Sequence, residues 1–436
     1  MTITINNKNK KTNVPNSTDK GNVIRNVPHL RFPEFEGEWE KCKLGDKCDL
    51  LCGYAFDGKN IVEQGTYLLM RGINITEGII RHSSELDRYY TGSVNNLAKY
   101  KLTTGDLVIG MDGSKVGRNS AIVSLTENGS YLVQRVCRIK SCIGNDFILQ
   151  LVNNHKFHKY VDMVKTSSAI PHISLKDIQN FPIAVPSIQK EADKISRLFH
   201  LLDERIATQN KIIEDLKKLK SAIIEKVFCS PNKKNPMCRI EGFEQALSTY
   251  KMSDFSSRIA TKNKDSKCSL VLTIAAQYGL VNQESFFNKS VASENLTGYY
   301  LLHKGEFAYN RSYSAGYDWG AVKRLDNYDE GVLSTLYICF KINETIVDSD
   351  YLTYYFESTK WHRGLSDIAG EGARNHGLLN VSITDYFNTK HRFPVIEEQK
   401  AIAKMLNTIT EKERKATLLG ECYQKQKQYL LRQMFI

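Results

Sequence analysis

Several things are missing from this sequence, and each absence removes a class of function. No apolar run approaches the 18 or more residues of a membrane span, so no membrane association is expected. The opening residues, Met1-Thr2-Ile3-Thr4-Ile5-Asn6-Asn7, carry no signal-peptide apolar core. The ten cysteines show no paired framework spacing, which fits a reducing cytoplasm, the expected location. Cys42, Cys48 and Cys52, or Cys137 and Cys142, lack both C-x2-C spacing and a nearby His pair, so no metal site is expected. The stretch Gly110-Met111-Asp112-Gly113-Ser114-Lys115-Val116-Gly117 superficially suggests a phosphate loop. Ser114 precedes Lys115, however, and the Gly-Lys-Ser/Thr order that such a loop needs is absent. Asp57-Gly58-Lys59 has the terminal spacing of a nuclease Asp-x-Lys, but no upstream acidic partner is evident. There is no Asn-Pro-Pro-Tyr or Asp-Pro-Pro-Tyr segment and no Gly-rich turn after a parallel strand, the usual signs of an adenine methyltransferase. No catalytic residues are assigned.

What is present is a folded chain of 436 residues, 41% hydrophobic and 10% aromatic, enough for two or three domains. Its formal net charge is +12. A basic surface in solvent would account for that charge; so would a polyanion partner, because Lys and Arg that neutralise phosphates gain affinity by counterion release.

The chain is organised around 186–228, which reads as one long helix. Its apolar residues Ile195, Leu198, Leu202, Ile212, Leu216, Leu219 and Ile223 recur at three- and four-residue steps. They fit a heptad with a positions at 195, 202, 209, 216 and 223 and d positions at 198, 205, 212, 219 and 226. At about 1.5 Å per residue, roughly 40 residues make a rod of about 60 Å, which needs a partner to cover its apolar stripe. The partner is predicted in the same chain, at 394–436, where the seam is Ile402, Met405, Ile409, Ala416, Leu419, Tyr423 and Leu430. Gly420 sits beside it at an e position, at a cost of about 1 kcal/mol relative to Ala unless close packing offsets it.

The rest follows as a tandem repeat. Residues 1–27 read as a disordered polar tail, 28–185 as a first globular unit of short strands and some helix, 186–228 as the first long helix, 229–393 as a linker and second globular unit, and 394–436 as the second long helix. Tyr100-x-Leu102-x-x-Gly105-Asp106 matches Tyr300-x-Leu302-x-x-Gly305-Glu306. Asp146-Phe147-Ile148 matches Asp350-Tyr351-Leu352, and Phe157-His158-Lys159 matches Trp361-His362-Arg363. Conserved order with a slowly growing offset is what a diverged duplication leaves. The expected fold is α+β: two globular α/β-mixed units separated by two long antiparallel coiled-coil helices, with pseudo two-fold symmetry. Such a bipartite surface suits duplex DNA. Residues able to read a groove are Arg71, Asn74, Arg81, Lys115, Arg118 and Asn119 in the first unit. In the second they are Arg311, Tyr313, Tyr317, Arg374, Asn375 and His376. Arg can pair with guanine, Asn with adenine, and Tyr with phosphate, though ordinary surface uses the same residue types.

These features resemble the specificity subunit of type I restriction-modification systems. The carriers are the opening Leu30-Arg31-Phe32-Pro33-x-Phe35-x-Gly37-x-Trp39, the two matched helices, and Pro394-Val395-Ile396-Glu397-Glu398-Gln399-Lys400-Ala401-Ile402-Ala403 with its echo from Pro186. The echo departs from the family at Gln189-Lys190-Glu191-Ala192, where a Glu-Gln pair is usual. The resemblance implies two target recognition domains, each reading half of a split double-stranded DNA sequence. It implies helices that act as spacer and as docking surface for two methylation subunits, in an assembly that restriction subunits also join. Those partners would carry S-adenosylmethionine, ATP and Mg2+, and this chain would bind no cofactor. A fused enzyme with an unrecognised active site and a coiled-coil scaffold without a DNA role are the other readings.

Overall fold

A computed structural model describes residues 4–5, 26–289, 295–312, 316–368, 379 and 381–436. Of the tail expected at 1–27, only Thr4–Ile5 and residues 26–27 fall among these; Thr4–Ile5 pairs antiparallel with Leu30–Arg31. The chain divides into two units, 1–209 with 419–436, and 210–418.

In the first unit the strand Cys48–Cys52 opens an antiparallel four-stranded sheet. Its order is Cys48–Cys52, Val136–Ser141, Leu107–Gly110, Ser120–Ile122. A second four-stranded sheet joins Tyr131–Leu132, Tyr67–Met70, Tyr89–Tyr90 and Ile61–Val62. Helices Asn145–Val152 and His155–Val164 complete the main core through Phe147, Ile148 and Phe157. The strand Pro182–Val185 returns antiparallel to Glu40–Lys43 and leads directly into the long helix.

The second unit repeats this plan. Its four-stranded sheet runs Ser256–Arg258, Ile338–Ile342, Phe307–Asn310, Ala321–Arg324, the same order of equivalent strands. Lys390–Phe393 pairs with Ser248–Lys251 as Pro182–Val185 pairs with Glu40–Lys43. The matched Tyr100 and Tyr300 segments have one local logic. Asp106 Oδ2 accepts the Thr103 N–H at 2.9 Å, and Glu306 Oε2 accepts the His303 N–H at 2.7 Å. Gly105 and Gly305 take φ of +92° and +88°, so the N–H of each reaches the neighbouring strand at Val123 O and Leu325 O.

The long helices are Gln189–Val227 and Ile396–Met434, each 39 residues. Both ends of the second lie 207 positions after those of the first. Within the first unit, the start of the first helix runs against the end of the second: Phe199 meets Phe435, Asp203 pairs with Lys427, and the Arg205 guanidinium lies over the Tyr423 ring. Leu430, Leu431, Met434 and Phe435 close that unit's core. Within the second unit the roles exchange. Ile224, Val227 and Phe228 join a core with Ile402, Ala403 and Leu406, and Lys220 pairs with Glu413 at 3.3 Å. In each unit the two helices therefore run antiparallel, as expected.

The phase of the seam differs from the expected heptad. Its covered face includes Ile195, Phe199, Leu202, Ile206, Gln209, Ile213, Leu216, Lys220, Ile223, Ile224 and Val227, so the a row is right while the companion row lies one residue later. Ile212 and Leu219 stand 43% and 49% exposed. The second helix shifts likewise, covering Leu406 and Gly420 more fully than Met405 and Leu419. Adjacent apolar pairs such as Leu198-Phe199 and Ile212-Ile213 satisfy both phases. Burying the larger Phe199 against Phe435 selects one.

Candidate nucleic-acid interface

The end of the first unit's sheet is built by register. Val136 pairs with Gly110 and Cys137 with Cys52, so the segments after Cys52, after Gly110 and before Val136 emerge at one end. Met70 borders the same place, its carbonyl accepting the Val133 N–H at 3.1 Å. All six first-unit candidates lie on the segments 71–81 and 110–119 that leave it. The two segments touch: the Gly78 N–H donates to Ser120 O at 2.8 Å, and Lys115 Nζ lies 3.1 Å from Glu77 Oε1.

The individual side chains differ in freedom. Asn74 is buried; its amide donates to Arg81 O at 3.2 Å and to Asp87 Oδ1 at 3.0 Å, which shapes the 71–87 loop from within. Arg71 is half-buried, its nearest acceptor the Leu86 carbonyl at 3.4 Å. Arg81 is exposed and touches Ile73 O at 3.2 Å. Lys115 is well exposed, and Arg118 pairs with Asp162 at 2.6 Å. A hydrogen bond from Lys165, with the charge of Arg118 added, holds Asp162 below its ordinary pKa range. Asn119 is half-buried, with its carbonyl accepting from Gly110 N at 2.8 Å. The Gly110–Gly117 stretch is a tight loop closed by Gly117 N to Gly110 O at 3.0 Å. Asp57, the nuclease-like acid, accepts the backbone N–H of Lys59 and caps a short 3-10 turn.

In the second unit Arg311 and Tyr317 occupy the equivalent segment, after Phe307–Asn310. Arg311 donates to Leu336 O and Val381 O at 3.1 Å each, clamping two segments. The Tyr317 hydroxyl donates to Ala276 O at 3.2 Å. Tyr313, Arg374, Asn375 and His376 lie outside the described residues. Among the described residues, no group of three or more His, Cys, Asp or Glu could hold a metal ion, and no helix is long and apolar enough to cross a membrane.

Each unit also holds a charge pair that sequence reasoning missed. Arg31 donates in parallel to both carboxylate oxygens of Glu191, at 2.7 Å each, and its third nitrogen reaches Gly37 O at 2.6 Å. Glu191 is fully buried and also accepts from Trp39 Nε1 at 3.2 Å. In the second unit Arg239 donates to both oxygens of Glu398 and reaches Gln245 O at 2.8 Å. Arg31, at the end of the strand Leu30–Arg31, and Arg239, in the segment ahead of the strand Ser248–Lys251, are each thereby tied to the first turn of a long helix. The signal was available: Arg31 and Arg239 are 208 positions apart, Glu191 and Glu398 are 207.

The same turn explains the departure at Gln189. Gln399 Nε2 donates to Ile346 O at 3.1 Å, just before the helix Ser349–Glu357. Gln189 Nε2 donates to Ile143 O at 2.7 Å, just before the equivalent helix Asn145–Val152. Gln189 stands about one helical turn earlier than the repeat position of Gln399, on the same helix face, so the bond survives the altered motif.

Comparison with known proteins agrees with this architecture. Residues 36–218 match the family model of the type I restriction modification DNA specificity domain. The specificity subunit of the type I restriction enzyme EcoAI from Escherichia coli is 29% identical over 186 residues, 41% of this chain. That match spans 30% of the relative's length. Among solved structures, the type I restriction-modification S subunit from M. genitalium superposes with a TM-score of 0.56 at 15% identity, covering 94% of this chain and 99% of that one. A chain from a study of type I R-M complex assembly and conformational transition superposes with a TM-score of 0.50 at 13% identity, covering 90% of this chain and 96% of that one. The resemblance to type I specificity subunits thus holds in sequence over residues 36–218 and in fold over 94% of the chain.

Proposed function

We propose that this chain is the DNA sequence-specificity subunit of a type I restriction-modification complex. The observation that carries the reading is the duplication of a whole device. Each unit repeats the strand order, the Arg–Glu clamp and the antiparallel meeting of two long helices. Two such devices with unlike surface loops suit a target in two unlike halves.

On this reading 28–185 and 229–393 are target recognition domains, and 186–228 and 394–436 set the gap between half-sites. The surface reading each half comprises Arg71, Asn74, Arg81, Lys115, Arg118 and Asn119, and Arg311, Tyr313, Tyr317, Arg374, Asn375 and His376. Asn74 acts by shaping its loop, since its amide is already engaged. The net charge of +12 supports a phosphate-bearing partner. The chain itself is non-catalytic. Two methylation subunits supply S-adenosylmethionine-dependent adenine methylation, and restriction subunits supply ATP- and Mg2+-dependent cleavage in the cytoplasm.

The test is domain exchange in the assembled complex. Replacing 28–185 by another recognition domain is expected to change one half of the methylated motif and leave the other intact, as mapped across a genome. A change in both halves, or in neither, overturns the proposal. Removing one heptad from each long helix is expected to alter the gap between the halves.

A further inference from the structure

Three residues other than glycine hold a left-handed backbone among the described residues: Arg135, Ser266 and Asn288. Arg135, at φ +68°, sits at the sheet end just described. Its turn is fixed on both sides. Its carbonyl accepts the Met111 N–H at 2.9 Å, the Gln134 N–H donates to Tyr54 O at 2.8 Å, and the Val136 N–H closes onto Val133 O at 3.1 Å. This rigid frame supports two exposed side chains, Gln134 and Arg135. Among the described residues neither side chain makes a hydrogen bond or ion pair. Most other arginines on this surface are engaged: Arg118 by Asp162, Arg81 by Ile73 O, Arg71 by Leu86 O. A strained position persists only where its surroundings fix it. Here the surroundings hold out a free guanidinium beside a free carboxamide.

The register identifies the equivalent turn in the second unit. Val136 faces Gly110 and Ile139 faces Leu107 in one sheet; Ile338 faces Tyr309 and Phe340 faces Phe307 in the other. The equivalents of Gln134 and Arg135 are therefore Thr335 and Leu336. The turn closes alike, Tyr337 N to Ser334 O at 3.1 Å, and the Leu336 carbonyl accepts from the Arg311 guanidinium where the Arg135 carbonyl accepts from the backbone N–H of the equivalent Met111. Thr335 is exposed, and Leu336 is 58% exposed, a large apolar side chain on a polar surface.

We infer that the turn before the central strand is a base-reading element in each unit, Gln134-Arg135 in the first and Thr335-Leu336 in the second. The inference rests on the proposed DNA-specificity function and deepens it by assigning unlike chemistry to the two halves. A guanidinium and a carboxamide suit the paired acceptors of guanine and the acceptor–donor pair of adenine in a major groove. A threonine and a leucine suit the methyl group of thymine. The scaffold is common to both units, and the turn supplies different letters.

The experiment uses the full complex with its methylation subunits acting on a plasmid library of randomised sequence. Adenine methylation is read at every site. Arg135→Gly removes the guanidinium and keeps a residue suited to positive φ; Leu336→Asn removes the apolar surface of the other turn. Arg135→Gly is expected to relax one base position in one half-site by roughly 5- to 150-fold, the range for losing a good bidentate contact. The other half should be unchanged, and Leu336→Asn should act only there. A thermal melt like that of the wild type for either variant shows that the fold is retained. A uniform loss over all sequences, with a shallower salt dependence, identifies Arg135 as a phosphate contact and overturns base reading. A wild-type complex with no bipartite motif overturns both the function and the turn. A bipartite motif that both variants leave untouched overturns the turn alone.

Discussion

The two units share a frame and differ at its edges. Both have the four-stranded sheet in one order, an arginine locked to a helix-start glutamate, and a core closed by the far end of the other long helix. They diverge in the smaller sheets. In the first, Tyr67–Met70 and Tyr131–Leu132 pair in parallel within a four-stranded sheet; in the second, the antiparallel pairs Leu272–Ala275 with Gly279–Asn282 and Tyr300–His303 with Glu330–Leu333 are joined by a single parallel bridge from Val271 to Val332. On the proposed function, a duplicated protein that reads two different half-sites keeps what positions the surface and varies the surface itself. Packing density explains why: a frame change propagates through a close-packed core, whereas a loop change does not.

The sharpest way to break the comparison is through the exchanged helix ends. Phe435 packs on Trp39, Phe147 and Phe199 in the first unit, although it lies one residue from the C-terminus of the sequence. Phe228 packs on Tyr351 and Tyr355 in the second. Phe435→Ala is expected to destabilise the first unit by about 3–5 kcal/mol, and Phe228→Ala the second by a similar amount. Amide hydrogen exchange on the full chain resolves the two. Loosening of 210–418 by Phe435→Ala would refute the exchange.

Next in size are the clamps. Removing Arg31 leaves the buried Glu191 carboxylate without its cation, at about 3–5 kcal/mol. Arg239→Ala should cost somewhat less, because Arg239 is more exposed and, among the described residues, Glu398 has no counterpart of the Trp39 donor. Denaturant unfolding of both variants, followed by exchange in each unit, checks the ranking; equal losses would show that the tryptophan bond adds nothing.

Acid should separate the units as well. His391 is fully buried between the Tyr355 hydroxyl and the Thr389 hydroxyl, and burial pushes its pKa from 6.5 down to about 3. The folded state therefore keeps it neutral while the unfolded chain takes a proton below about pH 6.5. Its contribution to stability is complete above that value and is lost as pH falls toward 3, at up to about 1.4 kcal/mol per pH unit. The register pairing of the two returning strands puts Ile183 at this place in the first unit. The matched His158 and His362 are both lowered by burial and so act on both units alike. His82 opposes the trend in the first unit. Burial works against its charge, but hydrogen bonds to Glu127 and Asp87 outweigh it and raise its pKa, so its contribution is present below about 6.5 and lost as pH rises. Between pH 7 and 5 the second unit should lose protection against exchange before the first. Parallel loss would exclude His391 as the cause.

Much of this was legible in the chain. The 207-residue offset of the helices, their antiparallel meeting and the matched Gly105 and Gly305 turns were readable because each is local or periodic. Other features were not. Arg31 and Glu191 are 160 positions apart, and nothing local marks them as partners. The seam phase was hidden by neighbouring apolar pairs that fit two registers, a choice settled by what packs opposite. Asn74 read as a groove reader because Asn can pair with adenine; its amide is instead held by Asp87 and Arg81 O, brought near only by the fold of the 71–87 loop. Arg135 carried no signal, since a left-handed arginine is dictated by Met111 and Tyr54 across the sheet, not by its own neighbours.

The smallest expected effect is at the displaced glutamine. Gln399 is buried and makes three hydrogen bonds, to Ile346 O, to Pro394 O and from the Asp348 N–H. Gln399→Ala strands three backbone groups, the Asp348 N–H and the Ile346 and Pro394 carbonyls, a loss of about 1–3 kcal/mol. Gln189 is exposed, and its amide is shared between Ile143 O and the carboxylate of Asp193. Water can replace either bond, so Gln189→Ala should cost about 0.5–1 kcal/mol. Placing a glutamine at the repeat position in the first unit, Ala192→Gln with Gln189→Ala, tests whether the two sites are interchangeable. Ala192 is fully buried beside the Arg31–Glu191 pair's own turn, where there is no room for a longer side chain without displacing the core. The double variant should therefore be less stable than Gln189→Ala alone, and a recovery to wild-type stability would show that the shifted glutamine is drift and not an accommodation to a tighter helix start.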